Sequence, residues 1–208
     1  MRSKKIRTLV YFSFFTTIMI ILSLTPLGFV PIGPLRATTL HLPVILAGML
    51  FGKRFGAGIG LVFGFLSFMI NTFQPTITSF VFTPFYSLGN YSGNILSLVI
   101  VFAPRIFLGY FSGFFFEFLK GKNINRNLAG LINAALATII HSVLVLGMIA
   151  LFFGNSYASA KGMDPTYLIT FIITILTTNS IAESLLAGFV CPLIYQGVYK
   201  SIERTHHE

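Results

Sequence analysis

TPLGFVPIGPLRATTLHLP, residues 25–43, lies between the first two apolar runs of the chain and decides how the rest is read. It holds Pro26, Pro31, Pro34 and Pro43 together with Gly28 and Gly33, so it cannot run as one regular helix. It is nevertheless rich in Leu, Val, Ile and Phe, and it carries Arg36, Thr38, Thr39 and His41 in quick succession. Non-helical backbone near a bilayer persists only where protein buries it or a cavity takes up its polar groups. The segment is therefore expected to fold over a small-molecule pocket.

The bilayer itself follows from composition. Of 208 residues, 55% are hydrophobic and 9% charged, and the mean hydropathy is +0.85. So little polar surface cannot cover a soluble globule of this size, which makes the chain an integral membrane protein. The net charge of +9 sits in short Lys and Arg clusters between apolar runs, without the aromatic-basic groove of a nucleic-acid binder. It reads as topology. Cys191 stands alone in an apolar run, which excludes an internal disulfide framework and a thiolate metal site. The opening MRSKKIR and the run Thr8–Leu24 have the outline of a signal peptide, but no small-residue cleavage pattern follows. They are read as a retained first helix.

About 20 helical residues cross the hydrocarbon core, and Lys and Arg mark the cytoplasmic side. Arg2, Lys4, Lys5 and Arg7 send the first span, Thr8–Leu24, outward, so residues 25–43 are external. A second span, Leu40–Phe51, returns to Lys53 and Arg54, and it is short unless the preceding segment contributes depth. The third, Gly56–Phe73, exits to a long external stretch rich in Thr, Ser, Asn and Phe, residues 71–94, expected to dock over the membrane face. The fourth, Asn94–Leu119, returns to Lys120, Lys122 and Arg126. The fifth, Leu128–Phe153, exits to GNSYASAKGMDP, and the sixth, Thr166–Val198, ends beside Lys200 and Arg204. The expectation is an all-α membrane protein in which residues 1–208 form a single substrate-binding domain. It is a six-transmembrane-helix bundle with both termini cytoplasmic and an irregular first external loop. All fourteen Lys and Arg residues but Arg36, Arg105 and Lys161 then lie on one side.

Helices in lipid associate through small residues at four-residue spacing. Gly56, Gly60 and Gly64 form such a stripe, as do Gly109 with Gly113, and Ser180 with Ser184 and Gly188; the first helix offers Ser13 and Thr17. Ordinary packing within the chain accounts for stripes of this kind, and a partner-facing role is the alternative. Ionisable and amide groups at membrane depth are costly and normally face a cavity or one another. They are Arg105, Glu117, Asn133, His141, Asn179 and Glu183, joined by Arg36 and His41 from the opening stretch. At 1.5 Å per residue, Arg105 lies roughly 12 to 17 Å below the outer start of its helix. Asn133, Ala137 and His141 share one helix face, and Asn179 and Glu183 repeat the spacing. Two readings of Arg105 stay open: a ligand anchor, or a cation neutralised by Glu183 to fix helix packing. His141 likewise is either a ligand contact or a satisfied structural residue.

No phosphate-binding GxxxxGK[ST] is present, so this chain does not hydrolyse ATP itself. There is no HExxH, and His, Cys and carboxylates are too scattered for a sequence-evident metal site. GYFSG and GNYSG have the wrong spacing for a GxSxG elbow, and Ser112 with His141 lacks the context of a nucleophile and base. Neither catalytic nor metal-ligating residues are expected.

Three stretches carry a family resemblance: TPLGFVPIGPLRATTLHLPVILAGMLFGKRFGAGIGLVFGFLSF at Thr25–Phe68, TSFVFTPF at Thr78–Phe85, and FAPRIFLGYFSG at Phe102–Gly113. With the order of short spans and basic inner loops, they resemble the substrate-binding S components of energy-coupling factor (ECF) vitamin transporters, most of all the pantothenate-specific branch. The resemblance implies a bacterial cell-membrane protein that captures a vitamin from outside and releases it inward. Its implied partners are a transmembrane coupling subunit and two cytoplasmic ATPases, which alone use ATP; no cofactor and no nucleic acid are implied for this chain. Many S components dock through an alanine pair in the first helix, where this chain has Ser13 and Thr17. Pantothenate has a carboxylate, an amide and two hydroxyls. Arg105 is expected to hold the carboxylate through two parallel hydrogen bonds, with Arg36 second. Asn133, His141 and Asn179 are expected to read the amide and hydroxyls, and Thr38, Thr39 and His41 to close over the ligand. The competing readings are another water-soluble vitamin or precursor, a self-sufficient carrier in which Glu183 and His141 relay protons, and an assembly subunit with no ligand.

Overall fold

The run from Arg2 to Leu24 holds neither proline nor glycine and forms one helix, α1 (Arg2–Leu24). It ends where Thr25 precedes Pro26, because a residue before proline resists helical geometry. The computed structural model describes residues 2–32, 35–122 and 124–205. After a single 3₁₀ turn at Pro26–Gly28, the segment expected to be irregular instead pairs into an antiparallel hairpin of β1 (Phe29–Ile32) and β2 (Leu35–Thr38). Phe29 faces Thr38, and Ile32 faces Leu35. Phe29, Val30 and Ile32 favour extended backbone, and Pro31 is tolerated because a two-stranded ribbon has a free outer edge. Gly33 and Pro34 lie outside the described residues. The Thr39 N–H donates to the Gly28 carbonyl at 3.1 Å and closes the base of the hairpin.

Helix α2 (His41–Phe51) follows directly. Its eleven residues span about 16 Å, roughly half of a hydrocarbon core, so the expected second span does not cross alone. It is a central helix, with Pro43 to Met49 and His41 all buried between α3, α4 and α7. Gly52, at φ 86°, makes the one-residue joint to α3 (Lys53–Phe73). A side chain there would be strained, since that φ belongs to glycine. Helix α4 (Ile95–Gly121) starts on a capping box in which the Asn94 and Ser97 side chains serve each other's backbone.

The stretch between α3 and α4 is fixed in place. The Ser79 hydroxyl donates to Asn71 Oδ1 at 2.7 Å, the Thr72 and Thr83 hydroxyls meet at 2.7 Å, and the Ser97 hydroxyl donates to the Phe80 carbonyl at 2.7 Å. Phe80 and Val81 are fully buried as a result, so the stretch packs onto the bundle, with a short hairpin, β3 (Ser87–Leu88) and β4 (Tyr91–Ser92), at its rim.

Helix α5 (Arg126–Ala160) runs two turns beyond its expected end, through a kink at Phe153. The extension places Tyr157 and Ala158 in the apolar cluster around Phe80 and Leu168, which repays helix where a loop was expected. The last span comprises α6 (Leu168–Ile175), a π-helical turn at Leu176–Ser180, and α7 (Ile181–Thr205) without a break. Among the described residues five helices are long and apolar enough to cross a membrane, and with α2 they form an all-α bundle. The α3 and α4 glycine stripes are internal packing. A Cβ on Gly56 would meet the Gly109 backbone, one on Gly60 the Arg105 carbonyl, and one on Gly113 the Lys53 backbone. Helix α4 thus presses its backbone onto α3 at the level of Arg105.

Candidate functional site

Helix α4 carries a proline, Pro104, one residue before its arginine. Proline has no N–H, so the carbonyl four residues back, that of Ile100, lacks its helical partner. Arg105 supplies one: Nη1 donates to the Ile100 carbonyl at 2.7 Å. Arg105 is 6% exposed, and its guanidinium lies 5.5 Å from the Phe63 ring centroid and 5.3 Å from that of Phe82. Each ring adds a cation–π contact of about 0.5–2 kcal/mol, well short of the several kcal/mol that burying a charge costs. Among the described residues Arg105 makes no ion pair, and its Nε has no hydrogen-bond partner. With Nη1 committed to Ile100, the Nε–Nη2 edge is left for a planar anion, the geometry in which guanidinium holds carboxylate.

Phe63 connects this cation to α5, its ring 6.0 Å from that of His141. His141 Nε2 is shut off from solvent with no hydrogen bond. His41 opens α2 immediately below the hairpin. It is 1% exposed, with both ring nitrogens lacking a well-formed hydrogen bond, and its ring lies against the backbone of Thr38 and Glu183. Buried polar atoms are nearly always paired. A cluster of unpaired ones on Arg105, His41 and His141 marks a place for a polar ligand.

Glu183 does not neutralise Arg105, the alternative left open by the sequence. Its Oε1 accepts the Thr38 N–H at 2.7 Å, because α7 turns this residue toward β2 while Arg105 lies between Phe63 of α3 and Phe82 of the stretch that follows it. The hairpin is therefore tied to α7 where it meets the cluster.

The remaining sequence-derived residues lie in varied places. Asn133 is fully buried between α4 and α5, where its Nδ2 donates to the Ser112 hydroxyl at 3.0 Å, that hydroxyl donates to the Ile45 carbonyl at 3.0 Å, and Asn133 Oδ1 is buried without a hydrogen-bond partner. Eight helical residues, about 12 Å, separate it from His141. Asn179 is half-buried in the π-helical turn, a distortion frequent at functional sites. Thr39 lines an apolar groove of about 1200 Å³ between α1, α2 and α7. That groove, walled by Phe14, Leu46, Leu186 and Val190 among others, offers a polar anion nothing to bind. The backbone of Arg36 pairs with Pro31 in the hairpin, and its side chain lies outside the described residues. Ser13 and Thr17 are exposed on α1, the Thr17 hydroxyl donating to the Ser13 carbonyl at 2.8 Å. Sequence reasoning missed Phe63, Phe82 and the part played by Pro104. The signal for the last was present, as a proline directly preceding a cation inside an apolar run.

Among the described residues, an apolar bundle thus encloses a cation without an ion pair and imidazole nitrogens without a hydrogen bond, at Arg105, His41 and His141. The chain belongs to the family of ECF transporter substrate-specific components, whose model matches residues 7–195. It is 32% identical over 204 residues to the pantothenic acid transporter PanT of Lactococcus lactis subsp. cremoris, covering 97% of this chain and 98% of that one. It is 30% identical over 192 residues to the pantothenate transporter PanT of Leuconostoc mesenteroides subsp. mesenteroides, covering 88% and 87%. Both relatives are named as transporters, which points to transport rather than catalysis. A crystal structure of the S-component for biotin from an ECF-type ABC transporter superposes with a TM-score of 0.58 at 18% identity, covering 94% of each chain. At that identity the likeness speaks for the fold alone.

Proposed function

We propose that this chain captures pantothenate at the outer face of a bacterial cell membrane and releases it inward. It does so with a transmembrane coupling subunit and two ATPases. The observation that carries this reading is the buried Arg105 guanidinium, held by Ile100 and flanked by Phe63 and Phe82, with its Nε unpaired. A fixed, dehydrated cation wants a small carboxylate, and two relatives at 32% and 30% identity are named for one. The carboxylate takes the Nε–Nη2 edge. His141 and His41 serve the amide and hydroxyls, since neutral imidazole both donates and accepts. The β1–β2 hairpin covers the ligand from outside, Thr38 holding it to α7. Asn133 serves helix packing through Ser112. Both termini are cytoplasmic, and the exposed Ser13–Thr17 face of α1 meets the coupling subunit.

The test is mass spectrometry of small molecules released on denaturing the protein purified from cells, followed by uptake in liposomes. Pantothenate at near-stoichiometric yield, with uptake only when the coupling subunit and ATPases are present, supports the proposal. Gradient-driven uptake by this chain alone would overturn it in favour of a secondary carrier. A different vitamin in the released fraction would overturn the choice of substrate.

A further inference from the structure

The glycines of the α3–α4 contact are forced by backbone approach, and Gly188 of α7 is not. A Cβ built there would lie 3.6 Å from Leu131 of α5, an ordinary contact. What the missing side chain leaves is room, in a groove of about 470 Å³ between α7 and the first turns of α5. The groove is graded along its length. Asn125, Asn127 and Gln196 form its mouth, and Leu131, Phe189 and Leu193 are its apolar walls. Eight helical residues, about 12 Å, separate Gln196 from Gly188. The lining holds no charged side chain, but a cation stands at the mouth. Arg126, between Asn125 and Asn127 in the chain, lays its guanidinium over the Tyr199 ring of α7, 4.4 Å from the centroid. Stacking occupies the face of a guanidinium and leaves its N–H edges free, and among the described residues no hydrogen bond or ion pair takes those edges.

We infer that this groove binds an anionic phospholipid: the phosphate meets Arg126 and the amides at the mouth, and one acyl chain runs inward along Leu131, Phe189 and Leu193. The polarity runs as a bilayer requires, with amides and cation at the end of the bundle that carries Lys120 and Lys122 and with the apolar walls toward the hydrocarbon. The free guanidinium edge matches two phosphate oxygens. Size decides against a protein partner, since roughly one turn of a helix 10 Å across would already fill the groove. None of these residues belongs to the Arg105 cluster, so the test below does not depend on the capture reading.

The experiment is native mass spectrometry of the full chain, extracted in detergent, washed free of lipid, and given equal amounts of phosphatidylglycerol and phosphatidylcholine with the same acyl chains. The wild type is expected to retain one phosphatidylglycerol, favoured over phosphatidylcholine by at least about fivefold. Arg126→Gln should bring that ratio to within about twofold. Gly188→Leu, which fills the groove, should lose retained lipid of both kinds. Arg54→Gln, which removes an exposed cation outside the groove, should keep the wild-type ratio. Glycerol 3-phosphate, the anion without chains, should bind at least about tenfold more weakly than the lipid. Equal retention of the two lipids by the wild type would overturn the inference, as would a loss in Arg54→Gln as large as that in Arg126→Gln. Lipid retained by folded Gly188→Leu would overturn its placement in the groove, and equally tight glycerol 3-phosphate would overturn lipid as the ligand. Should Gly188→Leu not fold, the Arg126→Gln and Arg54→Gln ratios decide alone.

Discussion

Arg105 Nη1 donates at 2.7 Å to the carbonyl of Ile100, a carbonyl that Pro104 leaves without its helical partner. One proline therefore breaks the hydrogen-bond ladder of α4 and, in the same turn, provides the anchor that orients the cation. Pro104→Ala restores the missing N–H and makes it compete with the guanidinium for Ile100. The expected outcome is a thermal midpoint unchanged or raised, since proline inside a helix is unfavourable. Pantothenate affinity should fall about tenfold, as for loss of one charge-assisted hydrogen bond. Thermal unfolding and ligand titration on the same preparation separate the two effects.

Gly60 holds the backbone around Arg105 in place, because a Cβ there would collide with the Arg105 carbonyl. Gly60→Val should push α4 off α3, costing about 1–3 kcal/mol of stability and weakening ligand binding together with it. Gly147 on α5 has no atom within 4 Å of an added Cβ, so Gly147→Ala should leave binding intact and keep or slightly raise the thermal midpoint.

Asn133 tests the boundary of the site. Its Nδ2 lies on Ser112, which in turn reaches α2 at Ile45, so Asn133→Ala should lower the unfolding temperature by loosening three helices. Pantothenate affinity should change by less than about threefold, within the effect of a weak indirect contact. An affinity loss as large as that expected for Arg105 variants would place Asn133 against the ligand.

Much of this was legible in the residue order. The basic clusters at Lys53–Arg54 and Lys120–Lys122 bracket helices near their observed ends, and an arginine inside an apolar run stood out as Arg105. What escaped depended on long-range partners. Phe29, Val30 and Ile32 pair into a hairpin that the prolines and glycines of residues 25–43 disguise. Phe153 looks like the end of a span, yet the helix continues because Tyr157 and Ala158 find an apolar niche beside Phe80. Glu183 has the charge to neutralise Arg105, and only the packing of α7 against β2 turns it to Thr38 instead. Phe82 is an ordinary aromatic residue of a loop until the network of Asn71, Ser79 and Thr83 fixes that loop over the guanidinium.

The face of α1 that carries Ser13 and Thr17 is exposed, and the proposed docking there is separable from capture. Thr17→Trp should abolish co-purification with the coupling subunit and stop ATP-dependent uptake. Pantothenate binding to the chain alone should be retained. Loss of binding without loss of co-purification would move the docking surface elsewhere.

Titration calorimetry of pantothenate into the wild type and Arg105→Gln, each shown folded by its thermal transition, tests the central claim most directly. Glutamine removes the charge while leaving a polar side chain near Ile100. The wild type is expected to bind one pantothenate, and Arg105→Gln to bind at least roughly 100-fold more weakly while unfolding at the same or a higher temperature, freed of an unpaired buried charge. Tight binding retained in Arg105→Gln would contradict the account.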